Sequence, residues 1–164
     1  MTTVCYRGGY LVADSSVSCG SEGVGYRLGT QDKVTKLKGV NSTIYWASSG
    51  DVGIEDTIEE WLLAYEVDAK PTMEFSEKAE FDIIAVFVCP MHTRVLTLDS
   101  KSKVFEKWNA DYWAIGTGEE FALGAMAAGA SAAGAVEAAT KHDLASCMPV
   151  QGFNVYNGNE IRIK

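Results

Sequence analysis

The residue types that could carry chemistry in this chain begin at Thr2, directly after the initiator Met1. Methionine aminopeptidases remove Met1 when the second residue is small, so Thr2 can become the N-terminus. An N-terminal threonine carries a hydroxyl nucleophile and a free α-amine that can serve as its base. Because small residues follow the initiator in many proteins, Thr2 acquires a catalytic role only if the rest of the chain supplies supporting groups.

A predicted hairpin brings an acidic residue close to this nucleophile. Gly8-Gly9 lies between two apolar runs, a pattern typical of a two-residue hairpin turn. Counting back from that turn places Thr3 opposite Asp14, so Asp14 lies at the same end of the hairpin as Thr2. Side chains alternate between faces along a strand, which puts Asp14 on the face opposite that of Thr2. Asp14 must then act through an intermediate cation or a strand-end bulge; the alternative is a solvated acid at the strand end.

A lysine is the expected cation, and Lys33 opens the third predicted strand. An ammonium group behind Thr2 would stabilise the alkoxide that develops at the hydroxyl oxygen and would favour a neutral α-amine. Lys36 and Lys38 are rivals of the same type, and a solvated surface lysine is the default explanation for each of the three. Their spacing does not choose among them.

Two glycine-containing turns could supply backbone donors for a developing oxyanion. Gly50 lies where a predicted strand leads into a predicted helix, and N–H groups exposed there would lie near the positive end of the helix dipole. Thr117, between Gly116 and Gly118, repeats that pattern before the next helix. The alternative for Gly50 is an ordinary turn glycine, and a G-x-G motif without a longer match is a weak signal.

Composition excludes several classes of function. The chain has 164 residues, of which 47% are hydrophobic and 22% charged, as is typical of one globular domain. Its 22 acidic and 14 basic side chains give a net charge of -8, which argues against nucleic acid or an anionic membrane as a partner. No apolar run approaches the roughly 18 residues of a membrane span, and the N-terminus is too polar for a signal peptide. We therefore expect a cytoplasmic protein.

The cysteines and histidines follow no metal-binding pattern. The cysteines are scattered without a C-x-x-C pair, and neither histidine lies in a ligand-like cluster with them. No metal and no cofactor are therefore expected, and buried free thiols are favoured over disulfides. The residues concerned are Cys5, Cys19, Cys89, Cys147, His92 and His142.

The order of predicted elements indicates an α+β fold in a single domain over residues 1–164. Strands are predicted over 3–7, 10–14, 34–37, 42–47, 81–89, 93–98, 104–108, 112–115, 150–156 and 160–164. Apolar residues at positions 54, 58, 61, 62 and 65 share one face of a helix that Asp51 could cap. Two further helices are predicted over 118–130 and 131–142, and the Ser- and Gly-rich residues 15–30 are predicted to form a loop. Two helical layers flanking two stacked sheets would accommodate this order.

Taken together, these segments resemble a known family. The chain resembles proteasome β-type peptidases and is closest in size to the bacterial HslV-type protease, within the N-terminal nucleophile (Ntn) hydrolases. The resemblance spans nearly the whole chain and is weakest from about residue 66 to 110. No single motif is specific, whereas their order and spacing together are. The matching stretches are TTV at 2–4, LVADS around Asp14, DKVTKL around Lys33, ASSGD before the first helix, AIGTGEEFALGAM at 114–126 and HDLASCMPV at 142–150.

The resemblance implies a set of site residues and a fold. Thr2 would be the nucleophile with its α-amine as base, and the backbone N–H of Gly50 would bind the oxyanion. Thr117 stands where the family usually has a serine. The implied fold is a four-layer αββα sandwich, and the implied reaction is hydrolysis of peptide bonds through an acyl-enzyme ester. The implied site comprises Thr2, Asp14, Lys33, Gly50, Thr117, Asp143 and Ser146.

The family also implies partners, and departures from its pattern leave alternatives open. Self-association into rings is implied, with unfolded polypeptide or peptide as substrate and an ATP-dependent unfoldase as a possible partner. The segment from Thr2 to Asp14 is shorter than usual, and Cys147 and Met148 stand where glycines commonly follow the serine. A small-amide hydrolase of the same superfamily and a non-catalytic scaffold or assembly protein are the alternative functions.

Overall fold

The computed structural model describes residues 2–21, 24–51, 53–68, 75, 79–100, 104–108 and 111–164. Within 18–28 and 105–108 only the backbone of the described residues is considered. The expected loss of Met1 concerns a residue outside the described ones. The strands are β1 (Thr3–Arg7), β2 (Tyr10–Ala13), β3 (Ser16–Ser21), β4 (Val24–Thr30), β5 (Thr35–Lys38), β6 (Thr43–Gly50), β7 (Phe81–Val88), β8 (Thr93–Asp99), β9 (Val104–Trp108), β10 (Tyr112–Gly116), β11 (Val150–Asn154) and β12 (Glu160–Ile163). The helices are α1 (Glu55–Val67), α2 (Glu119–Ala127) and α3 (Ala132–His142).

Two five-stranded antiparallel sheets form the centre of the fold. The first sheet has the strand order β10-β1-β2-β11-β12, and the second has the order β5-β6-β7-β8-β9. Their inner faces pack on each other through buried residues such as Val4, Leu11, Tyr45 and Ile84. Thr2 precedes β1, which has β10 on one side and β2 on the other.

The helices cover the two outer faces, which completes four layers. Helix α1 packs on the second sheet, and the predicted face is confirmed because Ile58, Trp61, Leu62 and Tyr65 are buried there. Helices α2 and α3 pack on the first sheet through small side chains such as Ala122 and Ala135. The small side chains let these helices lie close to the sheet. The αββα sandwich is therefore confirmed.

The β1–β2 hairpin has the predicted register. Gly8 and Gly9 have φ values of 57° and 85°, the left-handed conformation that a tight two-residue hairpin turn requires and that glycine adopts without strain. Val4 pairs with Ala13, and the backbone N–H of Asp14 donates to the carbonyl oxygen of Thr3 at 3.0 Å. The turn thereby determines which residues of the two strands end together beside Thr2.

Two sequence predictions about local structure are wrong. The loop predicted over residues 15–30 is wrong, because β3 (Ser16–Ser21) and β4 (Val24–Thr30) pair with each other in a separate two-stranded sheet. Such a hairpin satisfies its backbone groups by pairing, so its Ser and Gly content did not reveal it. Asp51 is not the N-cap of α1, because β6 continues to Gly50 and the helix begins only after Ile54. Asp51 instead accepts a hydrogen bond from the backbone N–H of Glu80 at 2.9 Å.

The described cysteines are unpaired, and the described helices include none that could span a membrane. Cys5, Cys89 and Cys147 are free thiols, and Cys5 and Cys147 are buried. The Cys19 side chain lies outside the described part of the chain. Among the helices of the described residues, none is long and apolar enough to cross a membrane.

Candidate active site

Thr2 is held at the end of β1 by backbone contacts with the turn that follows β10. Its carbonyl oxygen accepts a hydrogen bond from the N–H of Thr117 at 3.0 Å. Gly116 has a φ of 99°, and a Cβ atom there would lie 1.7 Å from the Thr2 carbonyl oxygen. Only glycine lets these two strands approach so closely. The Thr2 side chain is buried at this junction.

Lys33 joins the predicted nucleophile to the predicted acid. Its Nζ atom lies 2.7 Å from Oγ1 of Thr2 and 2.9 Å from Oδ1 of Asp14. The ammonium group therefore lies as a cation between the two side chains. The structure therefore selects Lys33 over its rivals: Lys36 lies over the ring of Tyr45, and Lys38 lines a cavity beside the β5–β6 and β7–β8 turns.

Asp14 is completely buried and its carboxylate is fully surrounded by donors. Oδ1 accepts from the N–H of Thr3 at 2.9 Å as well as from Lys33. Oδ2 accepts from the N–H of Ser16 at 2.8 Å and from the N–H of Cys147 at 3.1 Å. Three backbone donors fix the orientation of the carboxylate, so it holds the Lys33 ammonium in one place.

Burial controls the protonation of Lys33. Removal from water disfavours the ammonium form and lowers the pKa of Lys33 below its usual value, although the negative charge of Asp14 opposes that shift. Burial disfavours the thiolate form of Cys5, and the negative charge of Asp14 disfavours it further, so the pKa of Cys5 is raised. Cys5 is therefore an inert core thiol, whereas Lys33 is a cation that gives up a proton more readily than a surface lysine.

A second hydrogen-bonded network lies on the helix side of β1 and is centred on Asp143. Its Oδ2 atom accepts from Oγ1 of Thr117 at 2.6 Å and from Oγ of Ser146 at 2.6 Å. The backbone N–H of Ala145 donates to Oδ1 at 3.0 Å. Burial alone would raise the pKa of Asp143, but the hydrogen bonds from Ser146, Thr117 and Ala145 hold it below its usual value. Asp143 is therefore an ionised acceptor at neutral pH.

The two predicted oxyanion turns differ from their expected geometry. The N–H of Thr117 is already bonded to the Thr2 carbonyl, so that group is not available to an oxyanion. Gly50 has a φ of 106° and ends β6, with α1 beginning only at Glu55. The preceding residue, Ser49, lies against Gly116, with its Cβ atom 3.3 Å from where a Gly116 Cβ would be. Gly50 thus lies beside the Thr2–Gly116 contact, without the adjacent helix end that the sequence predicted.

Sequence reasoning missed Thr3 as a site residue. Its hydroxyl is completely buried and lies 2.6 Å from Oγ of Ser146, while its N–H reaches Asp14. The available signal was the Thr2-Thr3 pair itself: alternation sends the two hydroxyls to opposite faces of β1. Among the described residues, no group of His, Cys, Asp or Glu side chains converges closely enough to hold a metal ion.

Comparison with known proteins identifies the fold. No protein-family model and no curated protein matches this sequence. Among solved structures, an Anbu (Gly-1) mutant from Hyphomicrobium sp. strain MC1 is similar with a TM-score of 0.70 at 12% identity, over 100% of this chain and 87% of that one. Eukaryotic HslV from Trypanosoma brucei has a TM-score of 0.60 at 20% identity, over 91% of this chain and 95% of its own. BPH from Thiobacillus denitrificans, solved in complex with epoxomicin, has a TM-score of 0.58 at 16% identity, over 99% of this chain and 98% of its own.

At these identities the likeness shows the fold alone. The chain has the proteasome-type fold of the Ntn hydrolases, as the resemblance in its sequence implied.

Proposed function

We propose that this chain is an N-terminal threonine peptidase that becomes active when Met1 is removed. The observation that carries the proposal is the buried contact from Lys33 Nζ to Oγ1 of Thr2 at 2.7 Å and to Asp14 at 2.9 Å. A buried ammonium group beside a hydroxyl stabilises the alkoxide form of that hydroxyl. A proteasome-type fold that places this contact at the first residue after the initiator supports an acyl-transfer role for Thr2.

In the first step Oγ1 of Thr2 attacks the carbonyl carbon of the scissile peptide bond. The hydroxyl proton passes to the free α-amine of Thr2, a C–O bond forms, and negative charge develops on the carbonyl oxygen. Lys33 stabilises the nucleophile while the charge is still on Oγ1. We assign the N–H of Gly50 to the oxyanion, since the N–H of Thr117 is engaged by Thr2.

Collapse of this intermediate breaks the C–N bond, and the protonated α-amine gives its proton to the leaving amine. The product is an ester between the acyl group and Oγ1 of Thr2. Water then attacks the ester with the α-amine as base, and the free carboxylic acid and Thr2 are restored. Asp14 keeps Lys33 in place throughout, while Asp143 and Ser146 support the threonine from the other face of β1.

Self-association belongs to the same proposal. Similarity of fold to HslV and Anbu over most of each chain supports assembly of several copies, and we propose a ring that encloses the active sites. An unfolded polypeptide or a peptide would be the substrate, delivered by an ATP-dependent unfoldase. Light scattering at micromolar protein concentration tests the assembly, and a monomer at that concentration contradicts it.

The catalytic proposal is tested on protein whose N-terminal residue has been determined. Intact mass and N-terminal sequencing establish the removal of Met1, and turnover of short fluorogenic peptides is then measured. We expect turnover by the processed protein and its loss in Thr2→Ala and Lys33→Ala. Lys36→Ala serves as the matched control, because Lys36 contacts Tyr45 rather than Thr2. Epoxomicin, bound in the BPH neighbour, is a probe that should block turnover.

Two results would redirect the proposal. Inactivity of the processed, assembled protein on broad peptide libraries together with turnover of small amides would make it an amide hydrolase. Inactivity on both classes of substrate would make it a scaffold or assembly protein.

A further inference from the structure

Thr3 connects the two networks around the proposed nucleophile. Through its N–H it contacts Asp14 at 2.9 Å, and Asp14 in turn holds Lys33. Through its hydroxyl it contacts Ser146 at 2.6 Å, and Ser146 in turn contacts Asp143. Thr3 is fully buried, and a Cβ atom on Gly118 would lie 2.2 Å from its Oγ1. The hydroxyl is therefore enclosed and has little freedom to turn elsewhere.

The direction of the hydrogen bond between Thr3 and Ser146 follows from proton counting. A hydroxyl has one proton to donate, and the ionised carboxylate of Asp143 can only accept. Ser146 uses its proton on Oδ2 of Asp143 at 2.6 Å. Oγ of Ser146 must therefore accept from Thr3, which makes a one-way chain from Thr3 through Ser146 to Asp143. Donation into Ser146 polarises its O–H and strengthens its bond to the carboxylate.

The backbone hydrogen bonds around Thr2 and Thr3 show what the hydrogen-bond chain from Thr3 to Asp143 holds in place. The peptide unit between Thr2 and Thr3 is bonded on both sides: the Thr2 carbonyl accepts from Thr117, and the Thr3 N–H donates to Asp14. The hydroxyl of Thr3 adds a third attachment on the helix side of β1. Three attachments in different directions prevent the first residues of β1 from sliding or rotating relative to Lys33.

We propose that Thr3 is a positioning residue, whose hydroxyl acts through Ser146 to keep Oγ1 of Thr2 within reach of Lys33. The inference rests on the proposed peptidase function for its kinetic consequence, but its geometric consequence is independent of that function. A shift of one ångström at a reacting atom lowers the rate by about a hundredfold. Loss of the Thr3 hydroxyl should therefore reduce kcat and leave substrate binding nearly unchanged.

The test compares Thr3→Val, which removes the hydroxyl but keeps the branched shape, with Thr3→Ser, which keeps the hydroxyl. We expect kcat to fall by about tenfold to a hundredfold in Thr3→Val with KM within about twofold, and to recover in Thr3→Ser. Thr140→Val is the matched control, because Thr140 donates only to the carbonyl of Glu137 on α3 among the described hydrogen bonds. A purely structural role of Thr3 would lower thermal stability without separating kcat from KM.

A double-mutant cycle tests whether Thr3 acts through Ser146. If it does, Thr3→Val combined with Ser146→Ala loses no more kcat than the larger single loss. A fold-decrease in kcat of the double variant that equals the product of the two single decreases would overturn the proposal, because the two residues would then act independently. So would wild-type kcat in Thr3→Val.

Crystal structures of the variants test the geometric consequence without any measurement of activity. The contact between Oγ1 of Thr2 and Nζ of Lys33 is expected to lengthen from 2.7 Å to beyond hydrogen-bonding distance in Thr3→Val and to persist in Thr3→Ser. Should Thr3→Val not fold, Ser146→Ala removes the same bond from its other end and is expected to lengthen the same contact. An unchanged contact in a folded variant overturns the inference, whereas an inactive wild type with the expected lengthening overturns only the peptidase function.

Discussion

A Cβ atom on Gly116 would lie 1.7 Å from the carbonyl oxygen of Thr2, so the end of β10 and the start of β1 meet at a distance that only glycine permits. This contact determines where the first residues of β1 lie, because the next residue after Gly116 donates its N–H to the same carbonyl.

Gly116→Ala should destabilise the protein and abolish peptidase activity. The new Cβ overlaps the Thr2 carbonyl, and the φ of 99° is strained for any residue with a side chain. We expect a loss of at least about 2 kcal/mol in the free energy of unfolding, measured by urea denaturation. Gly124→Ala is the control: Gly124 lies in α2 with nothing within 4 Å of a new Cβ, so it should stabilise by up to about 1 kcal/mol. Equal effects of the two variants would contradict the importance of the junction.

Lys33→Met should lose activity and stability together. It leaves the buried carboxylate of Asp14 without its cation, and breaking a buried ion pair on one side costs about 3 to 5 kcal/mol. The double variant Lys33→Met, Asp14→Asn replaces the stranded charge with a neutral amide and should recover part of that stability. It should not recover turnover, because Thr2 still lacks the ammonium group. Recovery of turnover in the double variant would show that the cation is not needed.

Substitutions of Thr117 should show that its hydroxyl, at a position where the family usually has a serine, is needed for peptidase activity. Its Oγ1 donates to Asp143 at 2.6 Å, so we expect Thr117→Ser to retain peptidase activity within about threefold and Thr117→Val to lose at least about tenfold. Steady-state kinetics on fluorogenic peptides provides the measurement. Comparable activity in both variants would mean that the contact with Asp143 has no role in catalysis.

The free energy of unfolding should depend on pH in the acid range because of the carboxylate of Glu66. This carboxylate accepts from the N–H groups of Val40 and Asn41 and from the hydroxyl of Ser42, which joins α1 to the β5–β6 turn. Burial raises the pKa of Glu66, but these hydrogen bonds outweigh that effect and hold the pKa below its usual value. A lowered carboxyl pKa stabilises the fold above the unfolded value and loses that contribution as the pH falls through the folded value.

Urea denaturation at neutral pH and near pH 3 measures this dependence. Glu66→Gln should be less stable than the wild type at neutral pH, and the difference should shrink at about pH 3 as the wild-type carboxylate becomes protonated. Glu60→Gln, on the same helix, is the control. A difference between Glu66→Gln and the wild type that is the same at both pH values would contradict the assigned hydrogen bonds.

Local patterns in the sequence predicted much of this protein. The glycine pair at 8–9 predicted the hairpin and its register, and the helical spacing around Trp61 predicted the buried face of α1. Both signals are local, since a turn and a helix face depend on residues only a few positions apart. The β3–β4 hairpin was missed although Val24, Tyr26 and Leu28 alternate along β4, because the Ser- and Gly-rich composition of residues 15–30 was interpreted as a loop.

Only the tertiary structure decided which lysine lies behind Thr2. Three lysines within six residues carry the same charge on the same kind of side chain, and the sequence contains nothing that distinguishes their distances to Thr2. The choice of Lys33 depends on how the segment before β5 in the second sheet meets the end of β1 in the first. The same holds for Thr3, whose partner Ser146 is 143 residues away. Spacing along the chain determines which residues share a turn, whereas packing determines the contacts between layers. The contact of Thr2, the proposed nucleophile, with Lys33 is one that packing determines.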